Sequence, residues 1–394
     1  GQYANQSNIY SNGNIAIGRY AAQGGGGGNN VCIGHEAGQN WTTGGGNDNI
    51  AIGAACFAQG TSGSKNTAVG SRAYGGSGKT ASENTAIGYE AMHQITSSGN
   101  NVAVGYKALY TASTSNENTA LGCNAMEQVT TGTGHNVAVG VSAMDSTTTG
   151  GYNTAVGSDS LGSNITGQYN TAIGANALGD NENSNNTALG YKAGNYSTGT
   201  QTTAIGNECL AGAWNGLVSG STNTGVGYEC MKVTTTGYSN TAAGANTLKT
   251  QTTGYNNSCF GGNAGQAITT GHSNAYFGQN AGNGATTGAN NVAMGIYSFS
   301  AASNTSSNNI CIGYAAGNTV TSGNSNVIIG YGAGGSNSPS GALTTHSNRV
   351  CIGHNDITNS YIKVDWTVTS DERDKTDIQD ITLGLDFVDQ LKPK

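Results

Sequence analysis

The chain of 394 residues is short of charge, of proline and of long apolar runs. Asp, Glu, Lys and Arg make up 9% of it, against about 25% in an ordinary soluble domain. The net charge of −7 is spread thinly, which leaves no basic surface for nucleic acid and no acidic tail. Two prolines in the whole chain mean that nearly every backbone N–H can donate, as a continuous hydrogen-bonded ladder requires. No apolar run approaches the roughly 18 residues of a spanning helix, so membrane insertion is not expected. Eight cysteines show no C-x-x-C and no zinc spacing, and the six histidines share no register with them, so neither metal nor cofactor is expected. No signal-peptide pattern stands at the start. A chain that begins with Gly1 rather than Met is expected to be a fragment or a processed product.

What is abundant is glycine, 65 residues, more than double the usual share of about 7%. Glycine at this level often accompanies disorder, but disordered chains are usually rich in charge or proline, and this one has neither.

A repeat explains the composition. The pentad Asn-(Thr/Val/Ile)-Ala-(Ile/Val/Leu)-Gly recurs twenty times between Asn14–Gly18 and Arg349–Gly353, mostly at spacings of 16 to 18 residues. Longer steps of 19, 21 and 23 residues separate Gly34 from Gly53, Gly206 from Gly227 and Gly330 from Gly353. Asn opens eighteen of the twenty pentads; Thr202 and Arg349 take its place in the others. A weaker signal follows three or four residues after each pentad Gly: Ala, then Leu, Met, Gly or an aromatic, as in Ala108-Leu109 and Ala143-Met144.

Each pentad alternates β-branched and small residues at period two and reads as a short strand. One face carries Thr154 and Val156; the other carries Asn153, Ala155 and Gly157. The large face is expected to fill the inside of a coil, and the small face to let another backbone approach closely. About seventeen residues cannot bury a core alone, but stacked copies can. Twenty coils about 4.8 Å apart make a shaft of roughly 90–100 Å, with an Asn ladder along it and Gly- and Asn-rich turns. The fold class is therefore an all-β, elongated repeat fibre, a stacked short-coil β-solenoid or β-roll over residues 1–353.

The pentads resemble the repeats in the head domains of trimeric autotransporter adhesins and in phage tail fibres, over about residues 14–353. That resemblance implies a homotrimer, to which the small Ala/Gly face adds an interface; a monomeric solenoid is the alternative. It also implies a structural and host-attachment role on a virion (a phage tail) or an extracellular surface. The partners would be a host cell-surface glycan or receptor and other tail or fibre proteins.

Near Tyr361 the material changes. Residues 361–394 hold 13 charges, and the preceding 360 residues hold the remaining 22. Residues 354–369 form a transition, with Tyr361–Trp366 alternating like a strand, and Ile378, Ile381, Leu385, Val388 and Leu391 are spaced like a short C-terminal α-helix. Between them Ser370-Asp371-Glu372-Arg373-Asp374-Lys375 resembles the first motif of the endosialidase-type intramolecular chaperone domain that ends some phage fibres. In that family the domain assists folding and trimerisation and then cuts itself off. Carried over, the scissile bond is Thr369–Ser370, with Ser370 as nucleophile and Lys375 as its base. Only 25 residues run from Ser370 to Lys394, so residues 370–394 are expected to be the beginning of a truncated chaperone domain. An ordinary helix cap at Ser370 or Asp371 is the plainer reading.

Other motifs carry less. Ala73–Thr80 fits a relaxed phosphate loop but leaves no room for the helix such a loop needs before Asn84; it reads as a connector. Cys32, Cys259, Cys311 and Cys351 occupy the pentad's Ala slot, and Cys56, Cys209 and Cys230 the later one, as small buried residues do. Cys209 and Cys230 share a column in adjacent copies and are candidates to bond. Glu36, Glu90, Glu208 and Glu229 all stand two residues after a pentad Gly and read as a solvated column. Of these, Glu208 and Glu229 alone offer two carboxylates on neighbouring coils for polysaccharide cleavage. Trp41 and Trp214 lie in the 19- and 21-residue steps; an indole in a lengthened loop can stack on a sugar, or merely pin its own loop. Tyr89, Tyr106, Tyr191 and Tyr228 form a broken column that reads as shaft packing. The rivals to a fibre are a bacterial trimeric adhesin head and a polysaccharide-depolymerising tailspike. No enzyme activity is expected beyond self-cleavage before Ser370, and that only in a complete chaperone domain.

Overall fold

The computed structural model describes residues 3–5, 12–24, 27–41, 46–60, 62–76, 78–132, 134–212 and 218–361. The chain divides into two units, Gly1–Asn355 and Asp356–Lys394. The second is described only from Asp356 to Tyr361, where it has no regular secondary structure. Trp214, the bond Thr369–Ser370, Lys375 and the expected C-terminal helix lie outside the described residues.

The first unit is a single parallel sheet of twenty three-residue strands, from β1 (Ile15–Ile17) to β20 (Val350–Ile352), one in each pentad. Each strand pairs in register with the next along the chain, so Ala155 of β9 (Thr154–Val156) lies beside Ala172 of β10 (Thr171–Ile173). Parallel pairing of consecutive strands requires one full circuit of chain between them, and the repeat supplies it. No α-helix occurs among the described residues.

The buried Asn ladder expected from the sequence is present. The side-chain oxygen of Asn49 accepts from the backbone N–H of Asn66 (2.8 Å) and from its amide (3.1 Å), while the Asn66 amide also donates to the Ala81 carbonyl at 3.0 Å. The amide thus ties each coil to both neighbours and satisfies a turn carbonyl that no ladder bond reaches. Thr202 interrupts the pattern: its N–H still donates to Asn186 (3.0 Å), but its hydroxyl turns to the Thr200 carbonyl.

The expected faces are reversed. The strand Ala, not the β-branched pair, points into the coil: Ala51, Ala103, Ala155 and Ala204 are fully buried, while Ile17, Leu121 and Leu189 face outward. The reason is the width of the coil. Its opposite wall brings in the second signal of the repeat, the large residues Leu109, Met126, Leu161 and Met231, all fully buried. With that wall occupied, the strand has room for a methyl and little more. The exceptions complement one another. Where the far wall has Gly282, the strand carries the buried Tyr276, whose ring would lie 2.4 Å from a Cβ added at that glycine. Likewise Ile328 and Leu343 fill the space before Gly334.

The close approach expected of the small residues occurs between coils of one chain. A Cβ on Gly157 would stand 2.6 Å from the Gly174 carbonyl carbon, and its φ of +136° is in any case open only to glycine. Every seven-thiol prediction for an Ala slot holds: Cys32, Cys56, Cys209, Cys230, Cys259, Cys311 and Cys351 are buried and free, whereas Cys123 is exposed.

Candidate interaction face and side-chain clusters

Turning Ala inward turns two columns outward. The column formed by the third residue of each strand runs Ile17, Ile33, Ile52, Val69, Ile87 and onward to Ile329 and Ile352, with no polar residue in twenty positions. The column formed by the first residue mixes Thr and Ser with Ile, Val and Ala. Neither column contains a charge. Exposure ranges from partial to 57% at Ile17 and 67% at Val350. Over nineteen steps of about 4.8 Å and a width of about 10 Å, the face covers roughly 900 Å², about half of it the unbroken apolar column. A soluble monomer rarely leaves an apolar patch of more than a few hundred Å² open to water.

The candidate residues fall differently from their sequence reading. Trp41 is buried: its ring meets Phe57 edge-on at 5.0 Å, and its indole N–H donates to the Phe57 carbonyl at 2.7 Å. Phe57 in turn packs against Tyr74, so Trp41 begins an aromatic seam inside the coil and offers no ring to a sugar. The indole is too large and apolar to remain outside when the coil beside Gly38 has space for it.

The glutamate column is not a solvated one throughout. Glu90 is buried against Arg72, 2.8 Å away. Glu208 and Glu229 do come together, but on either side of Lys232, whose Nζ is 2.6 Å from each; Lys249 reaches Glu229 at 2.5 Å. The lysine hydrogen bonds hold the Glu229 carboxyl down to about 2, and the two carboxylates drive the Lys232 ammonium up. A glycosidase acid must instead be kept protonated near neutral pH. This pair is an ion-pair clamp between coils.

Lys79, from the phosphate-loop-like stretch, is buried and donates to the carbonyls of His93 and Ile95, with its ammonium 5.1 Å from the centre of the Tyr74 ring. The next element is the strand Thr85–Ile87, so there is no helix N-terminus to face a phosphate. Cys209 and Cys230 are free, buried thiols on neighbouring coils, and the neighbouring Cys230 thiol, together with burial, pushes the Cys209 thiol up.

The tyrosine column is exposed, as its position implied, and partly stacked: Tyr89 and Tyr106 lie 5.6 Å apart at 9°. Other columns do the same, as in Tyr238–Tyr255–His272 at 3° and 4°. Sequence reasoning missed two clefts. One, of about 290 Å³, gathers Asp145, Asp159 and Asp180. Burial pushes the Asp145 carboxyl up, with a smaller push from the Asp159 charge, against opposing Ser146 hydrogen bonds. The other, of about 390 Å³, lies beside the 23-residue step and brings together Tyr297, Tyr314, Tyr331 and His354. That step is the longest in the repeat, the signal that marked it. Among the described residues no cluster of His, Cys, Asp and Glu could hold a metal ion.

The fold defines a repeat protein of the parallel β-solenoid class. Compared with protein-family models, with curated proteins and with solved structures, the chain matches none.

Proposed function

We propose that this chain is the shaft of a homotrimeric attachment fibre, of the phage tail-fibre kind, whose three copies meet along the outward apolar face. The observation that carries the reading is the unbroken column from Ile17 to Ile352, uncharged and open to solvent in one chain. It changes which face makes the interface: the Ala/Gly side is spent inside the coil, and the β-branched side is left to pair. Half-burying some twenty such side chains stabilises by roughly 1 kcal/mol each, or about 20 kcal/mol per chain. That exceeds the roughly 4–15 kcal/mol cost of association. Divided between its two neighbours in a trimer, roughly 900 Å² per copy gives about 450 Å² toward each, the small end of specific interfaces. In-register columns repeating every coil suit a three-fold axis parallel to the shaft, because each copy then offers the same residue at the same height.

Folding and trimerisation would be assisted by the C-terminal chaperone segment, with Ser370 and Lys375 as the self-cleavage pair; both rest on the sequence resemblance alone. Light scattering coupled to size exclusion tests the assembly. A species of three times the 39.4 kDa chain mass is expected, and a stable monomer at micromolar concentration overturns it. Intact mass of the chain expressed with its downstream sequence tests the cut before Ser370.

One observation favours a second reading, the depolymerase: the cleft of Asp145, Asp159 and Asp180, in which one carboxyl is pushed up beside others. Soluble capsule or lipopolysaccharide shortened by the protein, and spared by Asp145→Asn, would support it.

A further inference from the structure

We infer that the cleft beside the 23-residue step is a binding site for an uncharged saccharide, a hexose or N-acetylhexosamine unit. Three properties single it out. The first is its rings. Along much of the solenoid the exposed aromatic pairs lie flat on one another, within 3° to 13° in Tyr238–Tyr255, Tyr255–His272 and His135–Tyr152, so each ring covers its neighbour's face; Tyr20 and His35, at 74°, are an edge-on pair outside the cleft. In this cleft the order breaks at both ends. Tyr297 meets Tyr314 at 78° and Tyr331 meets His354 at 67°, while Tyr314 and Tyr331 stack at 12° between them. In an edge-on pair, the ring that supplies the edge keeps both of its faces clear of its partner. An open ring face is what the C–H side of a pyranose needs.

The second property is what surrounds the rings. Asn318, Asn337, Thr319, Ser300 and Ser336 line the same cleft, supplying amides and hydroxyls that both donate and accept, as sugar hydroxyls do. No Asp, Glu, Lys or Arg lines it, which is why the ligand is uncharged. The third is its place and size. Gly335, Ser336 and Asn337 come from the lengthened coil, and an insertion on a rigid repeat scaffold is where a binding surface is commonly built. The volume of about 390 Å³ falls within the range of small-ligand sites. Tyr331, 64% exposed, has little to do with holding the coil together.

The proposal names the attachment site of the fibre reading and takes its biological sense from it, but it needs only the folded solenoid, so the two can fail separately. The full chain is titrated by saturation-transfer NMR with maltotriose, with the trimer of N-acetylglucosamine and, as the acidic comparison, with sialyllactose; light scattering on the same samples reports assembly. We expect at least one neutral probe to bind in the micromolar-to-millimolar range. Tyr297→Ala and Tyr331→Ala should each weaken it about tenfold, from the loss of one ring face. Tyr238→Ala, in a flat stack outside the cleft, should leave it unchanged, and all three variants should keep the wild-type circular dichroism. The proposal is overturned if neither neutral probe binds at 10 mM, if sialyllactose alone binds, or if Tyr238→Ala weakens binding as much as the cleft variants do. A trimer that binds no sugar removes the cleft and leaves the fibre; a monomer that binds sugar does the reverse.

Discussion

The Asn ladder can be tested at Asn257, which is fully buried in a regular stretch of coils. Its side-chain oxygen accepts from the Asn274 backbone N–H at 3.1 Å and from the Asn274 amide at 3.0 Å. Its amide donates to the Asn240 oxygen at 3.1 Å and to the Gly271 carbonyl at 2.9 Å. Asn257→Ala strips the partner from the Asn274 N–H and from the Gly271 carbonyl; the other two groups keep a second bond, to Gly288 and from the Asn257 N–H. A buried polar group without a partner costs about 1–3 kcal/mol, so the substitution should destabilise by about 2–6 kcal/mol. Asn257→Asp separates hydrogen bonding from volume. A carboxylate can still accept from Asn274, but it sets oxygen against the Asn240 and Gly271 oxygens, and folding therefore favours its protonated form. A folded-state pKa above the unfolded value means that stability is kept at acid pH and lost as pH rises through the folded pKa. Thus Asn257→Asp should lie below Asn257→Ala in melting temperature at pH 7 and recover toward wild type near pH 4. Thermal unfolding by circular dichroism reads both, and hydrogen exchange over residues 271–277 should show protection lost. Equal melting at pH 7, or an unchanged gap at pH 4, would refute the argument that four directed bonds, rather than packing, hold this position.

Other consequences follow from separate parts of the molecule. Leu121→Asp with Leu189→Asp alters two outward ladder positions, so the solenoid's circular dichroism should persist while light scattering shifts from three chain masses to one; an intact trimer would move the interface elsewhere. Burial pushes the Lys79 amine down to about 7, although the carbonyls and the Tyr74 ring that it meets favour its charged form. Because its folded pKa lies below the unfolded value, stability should rise with pH between about 7 and 10, and Lys79→Met should flatten that rise in urea midpoints. A thiol reagent under native conditions should modify Cys123 quickly and the seven buried cysteines only on unfolding, as counted by mass. Lys232→Ala removes the cation between Glu208 and Glu229 and leaves Glu229 to Lys249, so the variant should lose stability at pH 7, read as a lower melting temperature.

Much of the solenoid is decided by local sequence. The pentads mark all twenty strands because period-two alternation, a closing Gly and polar turns act within a few residues. The Asn column was readable for the same reason: an amide repeated at one register can meet only its own copies. Which face turned inward was not local. Thr154 and Val156 against Ala155 is an alternation that fits either orientation; the choice was made by Leu161 and its counterparts, which occupy the far wall of the coil and leave room for a methyl. The same competition for space drew Trp41 into the interior beside Gly38, although its long loop looked like a place for an exposed ring. Lys232 between Glu208 and Glu229, and the rings of Tyr297, Tyr314 and Tyr331 at one cleft, depend on which residues of different coils come to the same height. Spacing in the chain sets those heights; the angles between side chains, and so the open ring faces, arise only when the coils are stacked.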